Sequence, residues 1–194
     1  MTKLTEENYI ENTLKGDSTA FAFLIDKYKD MVFTLALKMV KSREVAEEVS
    51  QDAFLKAYKY LSKFKGDSKF STWLYKIAYN TCLDAIKKNS NQKNNIPIDE
   101  ITINYISSVE TVLDGIEREE RAEIINDCLE QLPEDEKAML LFFYFKELSL
   151  KEITEITSMG EANVKVKLHR ARKKLLSIVK NTVEPALISH YGRK

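Results

Sequence analysis

The sequence predicts an all-α fold in which two small helical domains are joined by an extended linker. Only 5 glycines and 3 prolines occur among 194 residues, which disfavours a turn-rich β architecture. Apolar residues recur at helical spacing up to residue 88 and again after residue 116, and the chain between them is polar and aperiodic. We therefore expect domains over residues 1–88 and 116–194, with a linker over residues 89–115.

Three helices are expected in the first domain. Asp17, Ser18 and Thr19 are the N-cap candidates of the first, which continues to about Val40, and Ser42 is that of the second. The third is expected from about Ser71 to Lys88. The predicted buried stripes of the three helices are Phe21, Leu24, Ile25, Tyr28, Val32, Leu35 and Ala36, then Val45, Ala46, Val49, Ala53, Phe54, Ala57 and Tyr58, then Leu74, Ile77, Ala78, Thr81 and Ala85.

The linker and the second domain follow from turn and capping signals. Residues 89–95 are rich in asparagine and Pro97 follows them, so we expect an extended connection. Helical periodicity returns at Ile116, and a helix over residues 134–145 begins beside Pro133, whose missing N–H costs little there. Ser149 and Glu152 form a capping-box pattern that opens a short helix, and residues 157–159 turn the chain into a longer basic helix. This arrangement is typical of a helix-turn-helix, whose second helix enters the major groove of DNA.

The basic helix, over residues 159–176, combines an apolar stripe with an excess of cations. The stripe is Val164, Leu168, Ala171 and Leu175. Residues 159–194 hold nine basic and two acidic residues, a net charge of +7 in a chain whose net charge is zero. A helix charged so unevenly suits an anionic partner. Two interpretations stay open, DNA binding and a bundle helix with a solvated basic face.

Aromatic residues and lysines alternate in the third helix of the first domain and just before it. The aromatic residues are Phe64, Phe70, Trp73, Tyr75 and Tyr79, and the lysines are Lys63, Lys65, Lys69 and Lys76. Single-stranded nucleic acid is bound by this combination, because rings stack on bases while cations follow the phosphates. The competing interpretation is that the rings only anchor the helices to one another.

Other function classes have little support in the sequence. It has two histidines, no glycine-rich phosphate loop and no zinc-ligand spacing, so neither catalysis nor a metal or other cofactor is expected. His169 lies among basic residues and is expected to face DNA. Cys82 and Cys128 are expected to be reduced, structural thiols. Without a secretion signal or a membrane span, we expect a cytoplasmic protein.

Four stretches resemble the extracytoplasmic-function (ECF) group of bacterial RNA polymerase sigma factors. FKGDSKFSTWLYKIAYN over residues 64–80, with Asp84 beyond it, is similar to the region 2 of that family. VAEEVSQDAF over residues 45–54 is similar to its polymerase-binding segment, and LPE (132–134) and VKVKLHRAR (164–172) are similar to its region 4. The resemblance spans nearly the whole chain.

The resemblance implies that the first domain binds core RNA polymerase and the melted −10 element, while the second reads the −35 duplex. It also implies an anti-sigma factor as a partner. The implied polymerase-binding residues are Glu48, Gln51, Asp52 and Phe54. The implied −10 residues are Gly66, Asp67, Ser68, Lys69, Tyr75, Lys76, Tyr79, Asn80 and Asp84. The implied −35 residues are Lys165, Val166, His169 and Arg170 at bases, with Lys167, Arg172, Lys173 and Lys174 at phosphates.

The chain departs from the family pattern at a few positions. Val166 stands where serine is common, and valine can contact a thymine methyl but cannot hydrogen-bond, so we expect an altered −35 preference. Lys87 and Lys88 replace arginines and offer point charges instead of bidentate forks. The alternative function is a stand-alone helix-turn-helix regulator with the first domain as a sensor. A helical adaptor without a nucleic-acid role leaves the +7 segment unexplained.

Overall fold

The computed structural model describes residues 5–88 and 118–191, with side chains over residues 5–88 and 120–183. In this part of the chain the regular structure is helical, without a strand. The helices divide into two compact units, the first built from residues 6–88 and the second chiefly from residues 118–154 and 158–191. The predicted all-α class with two helical units is confirmed. The linker predicted over residues 89–115 lies outside the described residues.

Four α-helices build the first unit: α1 (Glu6–Leu14), α2 (Ser18–Val40), α3 (Arg43–Tyr60) and α4 (Phe70–Lys88), with a 3₁₀ turn at Leu61–Lys63. Asp17 Oδ1 accepts hydrogen bonds from the backbone N–H groups of Thr19 and Ala20 at the start of α2. Ser42 Oγ accepts one from Val45 at the start of α3. These oxygens satisfy N–H groups that a helix end leaves without partners. The N-cap of α2 is thus Asp17 among its three candidates, and the predicted N-cap Ser42 is confirmed.

The core of the first unit lies where α2, α3 and α4 pack against one another. Ala36 of α2, with Ala46, Ala53 and Ala57 of α3, is fully buried. Small side chains at these crossings let the helix backbones approach closely. Leu74 of α4 is also fully buried, as its predicted stripe requires.

Two features of the first unit differ from the sequence prediction. Helix α1 was not expected, because its nine residues carry little apolar periodicity. Two contacts hold it against α2: the ring of Tyr9 stacks on Phe23 with centroids 3.8 Å apart, and Glu6 forms an ion pair with Lys27. Tyr58 was expected in the buried stripe of α3 but is 48% exposed, with only its ring edge against Phe21. The stripe rotates slowly around a long helix, and Tyr58 lies where it turns towards solvent.

The second unit contains α5 (Arg118–Glu130), α6 (Glu134–Leu140), a π-helix (Leu141–Phe145), α7 (Leu150–Thr157) and α8 (Glu161–Tyr191). The helix predicted over residues 134–145 therefore changes type after Leu140. The N–H of Lys146 donates to the carbonyl of Leu141 at 3.0 Å, the five-residue step of a π-helix. Pro133 is the N-cap of α6, which begins at Glu134 as expected.

A buried ion pair joins α5 to α6. The side chain of Lys137 has no exposed surface, and its Nζ lies 2.9 Å from Glu130 Oε1, which belongs to a side chain only 10% exposed. A lysine is stable in such a place only when its charge is paired, because desolvating an isolated ammonium costs several kcal/mol. This pair fixes α6 at the start of the segment that packs on α8.

Candidate functional site

The two helices of the predicted helix-turn-helix are α7 and α8. The Ser149 hydroxyl accepts from the backbone N–H of Glu152, and the Glu152 carboxylate accepts from the backbone N–H of Ser149, which confirms the capping box. Ser158 ends α7 in the left-handed conformation, with φ of 57°. The N–H of Val164 donates to the carbonyl of Gly160 as α8 begins. The short turn predicted between the helices is thus confirmed.

Helix α8 buries its apolar stripe and exposes a row of polar side chains on another face. Val164, Leu168, Ala171 and Leu175 are all at most 1% exposed. Six residues of the predicted −35 set are exposed, and one of them, Lys174, is paired with Glu136. The other five, which we call the outer face, are Lys165, Val166, His169, Arg170 and Lys173. Their spacing of one, three, one and three residues keeps them on one side of a helix. Side chains arranged in this way can enter a major groove.

Three other cations of α8 contact the unit itself, and we call them the tethered cations: Lys167, Arg172 and Lys174. Lys167 Nζ is paired with Asp135 Oδ2, and Lys174 Nζ lies 3.4 Å from Glu136 Oε2. Arg172 stacks on rings of the π-helix, with its guanidinium carbon 5.7 Å from the Phe143 centroid. Its Nε is buried and has no hydrogen-bond partner among the described residues. Arg172 is therefore a packing residue in this structure, and its predicted contact with a phosphate stays a prediction.

Aromatic residues of α4 supply the core of the first unit. Tyr75 is 4% exposed and Tyr79 2% exposed, so neither ring can stack on a base, and both predictions are wrong. Burial of Tyr75 also raises the pKa of its phenol. The rings of Phe64, Phe70 and Trp73 form one cluster, with centroids between 5.4 and 5.6 Å apart.

The remaining predicted −10 residues lie at the surface. Gly66 has a φ of 76°, a left-handed conformation that suits glycine, and turns the loop before α4. Asp67 and Lys69 of that loop are exposed and Ser68 is half-buried. On α4, Asn80 and Asp84 are exposed and Lys76 is half-buried. The loop and α4 therefore offer polar side chains to a ligand, while the aromatic residues do not.

The predicted polymerase-binding residues fall on two sides of α3. Glu48, Gln51 and Asp52 are exposed, whereas Phe54 is 9% exposed. Phe54 belongs to the core, so the structure gives no support to its predicted contact with the polymerase, which stays a prediction. Asp52 Oδ2 forms an ion pair of 2.8 Å with Lys56.

Sequence comparison identifies the family. The family model of Sigma-70 region 2 matches residues 24–92, and that of Sigma-70 region 4 matches residues 122–175. The ECF RNA polymerase sigma factor SigW of Bacillus subtilis strain 168 is 35% identical over 175 residues, which are 86% of this chain and 92% of SigW. The chain belongs to the ECF sigma factors. The ECF RNA polymerase sigma-E factor of Escherichia coli K12 is 31% identical to this sigma factor over 194 residues, covering 95% of this chain and 97% of the relative.

Two solved structures share the fold of this sigma factor. CnrH, in complex with the cytosolic domain of CnrY, matches with a TM-score of 0.64 and 18% identity over 89% of this chain and 96% of CnrH. The sigma factor RpoE of Bartonella quintana, in complex with the anti-sigma factor NepR, matches with a TM-score of 0.62 and 17% identity, covering 82% and 96%. At these identities the likeness shows the fold alone. The predicted resemblance is confirmed, and the stand-alone regulator is not favoured.

Sequence reasoning missed one surface residue of this sigma factor. Leu55 is 69% exposed, the largest exposure among the large apolar side chains that the structure describes as exposed. It follows Glu48 by seven residues, Gln51 by four and Asp52 by three, so all four share one side of α3. That spacing was the available signal. It went unnoticed because Leu55 adjoins Phe54, which occupies the buried stripe.

A groove of about 330 Å³ runs beside that side of α3, between α3 and α4. Glu48 and Asp52 line it from α3, and Asp84 and Lys88 line it from α4. Asp84, expected at the −10 element, therefore lies beside the predicted polymerase-binding residues.

The two cysteines were expected to be structural thiols, and both are buried. Burial raises the pKa of the Cys82 thiol to about 12 and also raises that of Cys128, whose sulfur lies 3.7 Å from the Thr182 hydroxyl. Thiols of this kind are weak nucleophiles.

None of the described helices is apolar enough over a sufficient length to cross a membrane.

Proposed function

We propose that this chain binds core RNA polymerase and directs promoter-specific transcription initiation through two domains. Residues 1–88 form the domain that binds polymerase and the −10 element, residues 116–194 form the domain that reads the −35 element, and residues 89–115 link them. The chain contributes recognition, and the catalytic chemistry belongs to the polymerase. The single observation that carries this proposal is the exposed outer face of α8, on the second helix of a helix-turn-helix in a chain of the ECF family.

The outer face reads the −35 duplex from the major groove. Arg170 can donate two hydrogen bonds to a guanine, the commonest specific contact in that groove. His169 can donate to a base or phosphate beside it, and Val166, which is 47% exposed, can contact a thymine methyl. Lys165 is paired with Glu161 at 2.6 Å, but both side chains are more than half exposed, and such pairs open readily.

The loop of residues 66–69 and the exposed polar side chains of α4 bind the melted −10 strand. Asn80 is suited to reading the edge of a base drawn out of the stack, because its amide both donates and accepts hydrogen bonds. Lys76 precedes it by four residues on α4 and Lys69 lies in the loop before that helix, and both can bind phosphates. Base stacking on Tyr75 and Tyr79 is not part of this proposal.

Polymerase binds the side of α3 that carries Glu48, Gln51, Asp52 and Leu55. An exposed leucine surrounded by polar residues is typical of a protein interface, in which an apolar centre has a polar rim. An anti-sigma factor is a second protein partner, and the cytoplasm is the site of action. The support for the anti-sigma factor is that the sigma factor of Bartonella quintana with the same fold was solved in complex with one.

The test is multi-round transcription in vitro by bacterial core polymerase on a library of upstream regions, with and without the chain. We expect chain-dependent transcripts whose templates share two spaced upstream elements. Asp52→Ala should weaken association with the polymerase, and Asp26→Ala, which removes an exposed acid paired with Lys29 on α2, serves as the matched control. A chain that produces no transcripts but binds one palindromic duplex tightly by itself would refute the proposal in favour of the stand-alone regulator.

A further inference from the structure

The cations of α8 fall into two groups that differ in what they contact. On the outer face, His169, Arg170 and Lys173 make no hydrogen bond or ion pair with any residue in the described part of the chain. The tethered cations, in contrast, each contact a side chain from α6 or the π-helix. One helix therefore presents cations that are available to a polyanion beside cations that already have partners.

The partners of the tethered cations come from a short acidic segment. Helix α6 opens with Glu134, Asp135 and Glu136 in its first turn. Asp135 is bound at both oxygens, because Oδ1 accepts from the backbone N–H of Glu136 at 3.0 Å while Oδ2 is paired with Lys167. A carboxylate fixed in this way has little freedom to release the lysine.

The second pair and the stacked arginine extend the same contact along α8. Glu136 is only 21% exposed and its Oε2 is buried, so its pair with Lys174 is partly shielded from solvent. The Arg172 guanidinium lies 5.7 Å from the Phe143 centroid and 5.6 Å from that of Tyr144. Cation–π contacts of this kind favour keeping the arginine on the rings.

We propose that the acidic first turn of α6 limits the number of phosphate contacts that the −35-reading domain makes. It holds Lys167 and Lys174 away from DNA phosphates, so that contact with the duplex is made through the outer face. This inference rests on the proposed function and deepens it. Sequence-independent affinity comes from the number of phosphates that cations neutralise, whereas sequence is read at base edges. Keeping two cations off the phosphates lowers binding to all sequences by a similar factor and leaves the base contacts of Arg170 unchanged. A larger share of the binding energy then comes from base contacts.

The experiment compares two lysines of the same helix in the full chain. Binding to a fluorescent duplex of scrambled sequence is measured as a function of KCl for Lys167→Gln and for its matched control, Lys173→Gln. Each phosphate contact contributes about −0.9 to the slope of log K against log salt. We expect Lys173→Gln to make the slope shallower by about 0.9 and Lys167→Gln to leave it unchanged.

The carboxylate is tested by Asp135→Asn. Releasing Lys167 should steepen the slope by about 0.9, which is about a 3.5-fold larger loss of affinity between 50 and 200 mM KCl. In the Lys167→Gln background the same change should leave the slope unaltered. Asp127→Asn, which removes an exposed acid from α5, controls for the change in net charge and should not alter the slope.

Three outcomes would overturn the inference. They are an equal loss of slope in the two lysine variants, an Asp135→Asn effect that persists without Lys167, and no measurable binding by either the wild type or Asp135→Asn. If Asp135→Asn fails to fold by circular dichroism, the two lysine variants decide the matter alone. Transcription by holoenzyme that contains the wild-type chain distinguishes failure of this inference from failure of the proposed function. If the proposed function is wrong, no chain-dependent transcripts form, whatever values the salt slopes take.

Discussion

The sequence predicts nucleic-acid contacts on both α4 and α8, yet the two helices place the predicted side chains differently. On α8, six of the eight predicted −35 residues are exposed, whereas on α4 only Asn80 and Asp84 of five predicted residues are. The difference follows from residue chemistry. A tyrosine ring can pack in a hydrophobic core or stack on a base, and where three helices pack together it is buried in the core. A cation is buried only with a partner, so an excess of cations indicates the surface more reliably.

The largest expected effect tests the burial of the α4 aromatic residues. Tyr79→Ala should lower the free energy of unfolding by about 3–5 kcal/mol, because it leaves a cavity among α2, α3 and α4. Urea unfolding followed by circular dichroism measures this. Tyr79→Phe keeps the ring and should retain most of the stability. If Tyr79→Ala unfolded like the wild type but lost affinity for a melted −10 template, α4 would present this ring to DNA after all.

The next effect tests the outer face of α8. Arg170→Ala should weaken recognition of the −35 element by about 1–3 kcal/mol, since it removes a bidentate base contact. Transcription from promoters that depend on the −35 element should fall, while polymerase binding, measured by co-elution with core enzyme, persists. Arg172→Ala is the informative contrast, because it should lower stability through lost packing on Phe143 and Tyr144. Normal activity of Arg170→Ala would remove Arg170 from the −35 interface.

How far the sequence predicts this molecule depends on whether local or tertiary contacts decide each feature. Capping at Asp17, Ser42 and Ser149 was predictable, because each cap is a contact between residues two or three apart. Tethering of Lys167 was not, since its partner Asp135 is 32 residues away and belongs to another helix. Leu55 was missed for a related reason, because helix rotation, and not hydrophobicity, decides which of two adjacent apolar residues is buried.

A smaller effect tests the exposed side chains of α4. Asn80→Ala should reduce promoter opening by about 1 kcal/mol, roughly fivefold, since one neutral hydrogen-bonding group is lost. A template melted in advance across the −10 element should show a smaller defect than a duplex template, since part of the cost of unpairing is already met. Binding to the −35 duplex should not change. An equal defect on both templates would place the role of Asn80 outside base extrusion.

The smallest effect concerns the charge that tethers α8 to α6. Burial by itself raises the pKa of the Asp135 carboxyl, but the hydrogen bond and charge of Lys167 more than offset this, and the pKa lies below its ordinary value. A carboxyl whose pKa is lower in the folded chain stabilises the fold while it is ionised. That contribution is complete above the unfolded value of about 3.9 and is lost as the pH falls through the folded value.

Asp135→Asn should therefore lower the urea midpoint slightly near neutral pH, since solvent screens a half-exposed pair. The difference between the two chains isolates this carboxyl from the other groups that titrate in acid. It should persist down to about pH 4 and shrink below it, where the wild-type carboxyl becomes protonated too. A difference that stayed constant into strong acid would mean that the asparagine acts through packing. In that case the pairing of Asp135 with Lys167 would contribute nothing to the position of α8 on α6. The contrast between the outer face and the tethered cations would then rest on Glu136 and on the aromatic contacts of Arg172.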